Sequence, residues 1–303
     1  MFERRMIANR TQVYRMTLFQ LLKFLYTNKP SKSEYSLIQM LSILKSIKFE
    51  LRSLHSVYDL NLLFSSEDSK NHAMNNFKKI NTVFGWVTFL IAIAVYIMTL
   101  EQSVSLWDCG EFISASYRLQ VVHPPGAPLF LMLGRLFSIF ATPGTNEVAI
   151  AVNMLSAVFS AATVMFTFWI TTHFAKKILK IDLNANTVDL GNAISIFGSG
   201  LVAAMSVTFM DTFWFNAVEA EVYAGSSCFM ALGFWSILRW EKVKDDPTSD
   251  RWIVFIAYVI GLGIGLHLLN ILVVPAVFLY YFVNKFGVSR RNIIRASVIG
   301  IGS

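Results

Sequence analysis

The chain has 303 residues, 55% of them hydrophobic, 14% aromatic and only 15% charged, with a mean hydropathy of +0.53. Soluble domains carry about 25% charged residues, and disorder requires low hydrophobicity with high net charge, so the composition excludes both and indicates an integral membrane protein. The net charge of +7 is unevenly placed: residues 1–80 hold 13 Lys and Arg against 6 Asp and Glu, whereas residues 81–303 hold 13 of each.

Residues 1–73 carry no signal-peptide pattern, and their apolar positions are scattered among Lys and Arg. Two readings stand for them: a basic amphipathic segment lying on anionic lipid, or an over-extended gene start. The second is favoured because Met74 opens MNNFKKINTVFGW, a short basic tail running straight into an apolar stretch. Residues 74–303 are the membrane region. Its first span is expected at 84–100, near the ~20 residues needed to cross a ~30 Å hydrocarbon core, and others at 148–174, 193–210 and 224–240. Residues 252–282 would extend roughly 46 Å as one helix at ~1.5 Å per residue. That is long for one crossing and short for two. Gly261, Gly263, Gly265, His267, Asn270 and Pro275 in its middle predict two short spans joined by a polar turn. A new apolar run begins just before Ser303, which predicts a C-terminal truncation.

Charge gives the expected orientation, because Lys and Arg prefer the cytoplasmic ends of spans. With the N-terminus cytoplasmic, six spans deliver Lys176, Lys177 and Lys180, then Arg239, Lys242, Lys244 and Arg251, then Lys285, Arg290, Arg291 and Arg295 to the inner side. Only Arg118 and Arg135, among the basic residues after position 80, then lie outside. The scheme requires residues 128–140 to lie in the membrane plane, as an outer-face juxtamembrane helix. The fold class is therefore all-α, a polytopic helical membrane protein of about six spans.

The chemistry-bearing residues collect on the outer side. The segment WDCGEF places Asp108 and Glu111 three apart, on one face of a helix, beside Trp107. They read either as solvated acids at an aromatic belt or as a carboxylate base, partly desolvated at the lipid interface, that takes a proton from an acceptor hydroxyl. Burial would raise such a pKa toward working pH, and spacing does not choose between the two acids. Pro124 and Pro125 keep the residues before them out of the helical state, so HPPG breaks the chain and launches the helix carrying Arg135. His123 either caps this turn or faces a ligand. Glu219 and Glu221 are expected to face apart, whether the segment is extended or helical with the two about 200° apart, so one of them is expected to face the site. His267 and Asn270 are expected to satisfy backbone groups freed at the helix break. Cys109 and Cys228 are too few for a disulfide framework, and neither sits in a metal-ligand spacing.

WDCGEF…HPPGAPLF, with NMLSA from Asn153, FWFNAVEAEVY over residues 213–223 and GIGLHLLN over residues 263–270, resembles protein O-mannosyltransferases of the GT-C superfamily, and most closely glycosyltransferase family 117, their bacterial relatives. The resemblance covers about residues 75–303. It implies a GT-C-like catalytic region that uses a polyprenyl-phosphate sugar held in the membrane. The sugar, mannose by default, would pass to Ser or Thr hydroxyls of secreted or periplasmic proteins at the outer face of a bacterial inner membrane. It further implies Asp108 as general base with Glu111 as its partner. Trp107, His123, Arg135, Asn153, Asn216, Glu219, Glu221 and His267 become candidates for binding substrate. No metal or other cofactor is implied, since the lipid-linked sugar is a substrate. Two departures stand out: the acids are not adjacent, and Asn153 occupies the position where an Arg is expected, which leaves Arg135 or Arg118 to hold the phosphate. The competing functions are a transporter, whose glycine-broken helix would bind solute near the midplane, and a non-catalytic truncated scaffold. Nothing in the sequence indicates nucleic-acid binding.

Overall fold

The structure, a computed structural model, describes residues 70–143, 146–181 and 188–302. The expectation for the basic segment 1–73 lies outside these residues except at its last four positions. All regular structure among the described residues is helical. In chain order it comprises α1 (Lys70–Met98), α2 (Cys109–Arg118), α3 (Pro128–Ser138), α4 (Glu147–Ile178), α5 (Leu190–Thr208), α6 (Asp211–Val218), α7 (Val222–Glu241) and α8 (Asp250–Ile264). A 3-10 turn (Leu268–Leu272), α9 (Val273–Phe286) and α10 (Arg290–Gly302) follow. In lipid every backbone polar group must be satisfied within its own segment, which a helix achieves.

Helix ends follow local chemistry. Asp189 caps α5 by accepting the Asn192 N–H at 2.8 Å, a standard N-cap bond. Pro128 opens α3, where its missing N–H costs nothing. Leu119 adopts the left-handed conformation at the end of α2, and Gln120 N–H reaches back to the Ala115 carbonyl at 2.9 Å.

Among the described residues, four helical segments are long and apolar enough to cross a membrane: Asn76–Met98, Glu147–Ile178, Leu190–Thr208 and Leu268–Phe286. Helix α7 reaches a similar length with 20 residues but is less apolar. Helix α3 has 11 residues and extends roughly 16 Å, too little for a crossing. The expected break within residues 252–282 is present. Helix α8 ends at Ile264, and the chain passes through His267 into the 3-10 turn before α9. Asn270 is fully buried there, and its side-chain amide donates to the carbonyls of Gly263 (2.8 Å) and His267 (3.2 Å) and to the Ser226 hydroxyl (2.9 Å). Gly263 is required beside it, because a Cβ would stand 2.6 Å from the Asn270 Oδ1.

Helix α4 is the central element: 67% of its apolar window is buried, against 22% for that of α1. Three apolar clusters surround it. One joins α1, α4, α5 and α6 through Tyr96, Val164, Phe168 and Ile196. A second joins α2, α3, the start of α4 and the start of α7 through Phe112, Phe130, Val152 and Val222. The third joins α7, α8 and α9 through Ile237, Trp240, Ile256 and Val277. The C-terminal end of α1, the N-terminal ends of α4 and α7 and the helix break meet at one end of the bundle. The opposite end collects the N-terminal end of α1 and the C-terminal ends of α4 and α7.

Candidate active site

The connection after α1 is held down by buried polar contacts. Glu101 N–H donates to the Val218 carbonyl at 3.0 Å, and the buried Asn153 amide donates to the carbonyls of Glu101 (2.9 Å) and Ser103 (3.4 Å). The chain then passes through Trp107, a non-glycine residue at φ +65°, and Asp108 starts α2. The Asp108 backbone carbonyl, not its side chain, accepts the first helical bond, from Phe112 N–H at 3.0 Å.

The HPPG turn folds back onto this helix start. Gly126 N–H donates to the His123 carbonyl at 2.9 Å, and Gly126 sits at φ +77°, a conformation that favours glycine. Leu129 N–H donates to the Gly265 carbonyl at 3.0 Å, which ties the start of α3 to the helix break. As a result His123 faces both acids. Its backbone N–H and ring Nδ1 donate to the two Glu111 oxygens at 2.7 and 2.8 Å, and its Nε2 lies 4.0 Å from Asp108 Oδ2. Phe112 supports the imidazole with ring centroids 5.9 Å apart.

The second wall is the start of α7. Ser156 pins Glu221 there, accepting its N–H at 3.3 Å and donating to its carbonyl at 3.4 Å. The Cys109 thiol donates to Glu221 Oε1 at 3.5 Å. The third wall is the helix break, where His267 Nδ1 accepts the Leu269 N–H at 3.1 Å and the ring packs 5.1 Å from that of Tyr223. Asp108, His123, Glu221, Tyr223 and His267 line a cleft of about 50 Å³. That is room for a few water-sized groups, enough for a hydroxyl group but not for a whole sugar, which would extend outside it.

Sequence and structure therefore agree on the neighbourhood and differ in detail. Asp108, His123, Glu221 and His267 line the cleft; Glu111 stands behind His123. Trp107 is not part of the lining and is 93% exposed. Arg135 stacks its guanidinium 5.0 Å from the centre of the Tyr117 ring, Asn216 binds the Thr212 carbonyl of its own helix, and Asn153 is buried behind the connection. Among the described residues lining the cleft the only basic side chains are the two histidines. Glu219 and Glu221 lie between α6 and α7, each with non-helical backbone angles. The chain turns tightly between them, with Glu221 N–H donating to the Glu219 carbonyl at 2.8 Å, and the charge of Glu219 acts on Glu221 although Glu219 is outside the lining. Tyr223 also lines the cleft; its signal in the sequence is its place at the end of the FWFNAVEAEVY stretch.

The expected desolvation of a motif acid falls elsewhere. Glu111 is exposed, and its pKa is lowered by the hydrogen bonds from His123. The carboxylate raised by burial is Glu221, with the charges of Glu219 and Asp108 adding to the effect. Burial, with the Glu221 charge behind it, also raises the Cys109 thiol, which stays protonated. The His123 imidazole is raised by its bond to Glu111. Its share of the tie is complete below the ordinary 6.5 and is lost as pH rises through the raised value. The Glu111 share is present above 4.5 and is lost as pH falls through its lowered value. A proton NMR titration is expected to place the His123 imidazole above 6.5, and Glu111→Gln to move it back toward 6.5. An unshifted titration in the wild type would overturn the pairing.

Asp108, Glu111 and His123 also offer one ligand atom each within 4.8 Å of one another, a grouping that could converge on a metal ion. Both Glu111 oxygens also accept hydrogen bonds from His123.

Residues 108–290 match the family model described as the protein O-mannosyl-transferase TMEM260 N-terminal domain. The chain is 25% identical over 233 residues to protein O-mannosyl-transferase tmem260 of Dictyostelium discoideum, covering 72% of this chain and 26% of that protein. It is 27% identical over 176 residues to protein O-mannosyl-transferase TMEM260 of Mus musculus, covering 58% of this chain and 22% of that protein. The chain thus spans about a quarter of the length of the curated relatives it matches. No solved structure matches it.

Proposed function

Because the chain belongs to the protein O-mannosyl-transferase TMEM260 N-terminal domain family, we propose that it is a membrane glycosyltransferase that moves mannose from a polyprenyl-phosphate donor to Ser or Thr hydroxyls of exported proteins. The GT-C architecture, membership of glycosyltransferase family 117 and the six-span topology are parts of this reading. So is the placement of the cleft on the outer face, with the N-terminus cytoplasmic; in a bacterium this would be the periplasmic side of the inner membrane. The observation that carries it is the convergence of two carboxylates and two histidines from separate segments on one cleft, at the end of the bundle opposite the cations of α4 and α7.

Asp108 is the general base. It is the one acid of the WDCGEF segment that lines the cleft, and Glu111 positions His123 beside it. The acceptor oxygen attacks the anomeric carbon while its proton passes to Asp108. The bond from that carbon to the phosphate oxygen breaks, and the lipid phosphate departs with the electron pair, inverting the anomeric configuration. Phosphate is already a good leaving group; inversion sets it across the sugar from the base, so His123, 4.0 Å from Asp108, shapes the acceptor side. Glu221 binds a substrate hydroxyl from the opposite wall. The step uses no metal and no cofactor.

The transporter reading has less support. The backbone groups freed at the glycine-rich break are taken up by Asn270, and the break lies at the cleft end of the bundle. The deciding experiment supplies membranes containing the protein with polyprenyl-phosphate mannose and a Ser/Thr peptide. Mannosyl-peptide is expected to form at a rate unchanged by EDTA. Absence of peptide product from every polyprenyl-phosphate hexose supplied would overturn the reading. A rate abolished by EDTA and restored by a divalent cation would replace the metal-free step with a metal-assisted one at Asp108, Glu111 and His123.

A further inference from the structure

The end of the bundle away from the cleft holds a larger cavity, about 270 Å³, between the start of α1 and the ends of α4 and α7. Three cations line it: Lys176 from α4, Arg239 from α7 and Lys242 just beyond α7. Two indoles, Trp169 and Trp235, form its apolar wall with their centroids 5.7 Å apart, and Arg239 lies 5.5 Å from the centre of the Trp235 ring. Asn81 completes the lining. Its side-chain oxygen is buried and has no hydrogen-bond partner, an arrangement that is costly unless something else satisfies it.

Charge sorting across a membrane explains why cations collect at this end. It does not explain why three of them converge on one cavity. Lys176, Arg239 and Lys78 all lie close enough to repel the Lys242 ammonium. The nearby acid Glu241 has its oxygens engaged by Lys177, by His173 at 2.9 Å and by the Tyr280 hydroxyl at 2.7 Å. A group that suits the cavity brings negative charge for Arg239 and Lys242, a hydroxyl for Asn81 and an apolar portion for the indoles. Trp86, 6.5 Å from Trp169, is half exposed and begins a stripe of exposed apolar residues that continues through Leu90. An acyl chain leaving the cavity has an apolar path along α1.

We propose that this cavity binds the headgroup of an anionic membrane lipid, with the phosphate held by Arg239 and Lys242 against the Trp169 and Trp235 indoles. The site is separate from the transfer cleft, and its occupancy ties α1 to α4 and α7 at their basic ends.

The test uses the full chain in neutral detergent, titrated with phosphatidylglycerol, phosphatidylcholine, glycerol phosphate or inorganic phosphate. Thermal stability and quenching of tryptophan fluorescence by brominated lipid are read together. Phosphatidylglycerol is expected to raise Tm and to quench with saturation, whereas phosphatidylcholine and both free phosphates leave Tm unchanged. Lys242→Gln is expected to weaken the apparent affinity at least about tenfold, the worth of one charge-assisted hydrogen bond. Arg290→Gln, a cation lost outside the cavity lining, is expected to leave it unchanged. If Lys242→Gln does not fold, Arg239→Gln serves in its place. Equal effects of phosphatidylcholine, equal weakening by Arg290→Gln, or a full response to inorganic phosphate alone would each overturn the lipid site.

Discussion

Asp108→Asn is expected to lower the rate of sugar transfer by roughly 10²–10⁴-fold, the usual worth of a positioned acid or base, with little change in folded yield. The amide keeps the shape of the carboxylate and removes only its ability to take a proton. The fold does not depend on that carboxylate. It is more than half exposed, its nearest charged partner is the His123 Nε2 at 4.0 Å, and helix α2 is started by the Asp108 backbone carbonyl. Exposed charge pairs of this kind contribute at most about 1 kcal/mol. Glu111→Gln is the instructive contrast. Its two oxygens hold the His123 backbone and ring, so the amide can still accept from one donor while the charge that fixes the imidazolium is gone. The loss there is expected to be smaller and to fall mainly on KM, because the cleft loosens while the base survives. Initial rates in membranes matched for protein level separate the two variants. Retention of wild-type turnover by Asp108→Asn would remove it as the base.

What could be read from the sequence was whatever depends on one segment at a time. The glycines and polar residues of 261–270 predict a helix break because free backbone groups in a bilayer need partners, and Asn270 supplies them. The proline pair and Gly126 predict a turn between α2 and α3, since neither fits a continuing helix. Basic residues marked the end of the bundle away from the cleft. What could not be read depends on how segments meet. Asn153 occupies a helix face like any polar residue in its span, and only the docked connection makes it a clamp for Glu101 and Ser103. Arg135 has a charge suited to phosphate, yet the neighbouring Tyr117 ring receives it. Most instructively, the position of Asp108 and Glu111 at the interface leaves open whether they are solvated or one of them is a partly desolvated base, and both are exposed. Burial instead acts on Glu221, which is brought under Cys109 by a contact across 112 positions of sequence.

Glu221→Gln is expected to separate function from stability in opposite directions. Burial raises the Glu221 pKa, and the charges of Glu219 and Asp108 push it the same way. A carboxyl with a raised folded pKa favours the folded state most strongly below its ordinary 4.5 and loses that advantage as pH rises through the raised value. At neutral pH the fold therefore carries the cost of a confined negative charge, and the amide removes it. The variant is expected to melt above the wild type at pH 7, with the difference shrinking as the pH falls toward 4. The Glu221 Oε1 contact at 3.5 Å is with the Cys109 thiol, a weak donor, so little is lost on that side. Transfer should move the other way. A hydrogen bond from a substrate hydroxyl to an ionised acceptor contributes about 1.5–3 kcal/mol, so kcat/KM is expected to fall roughly 10- to 100-fold. A carboxylate kept in a cleft against its own effect on stability is kept for what it binds. A Glu221→Gln variant less stable than wild type at pH 7, or one with unchanged kcat/KM, would assign Glu221 to the scaffold instead.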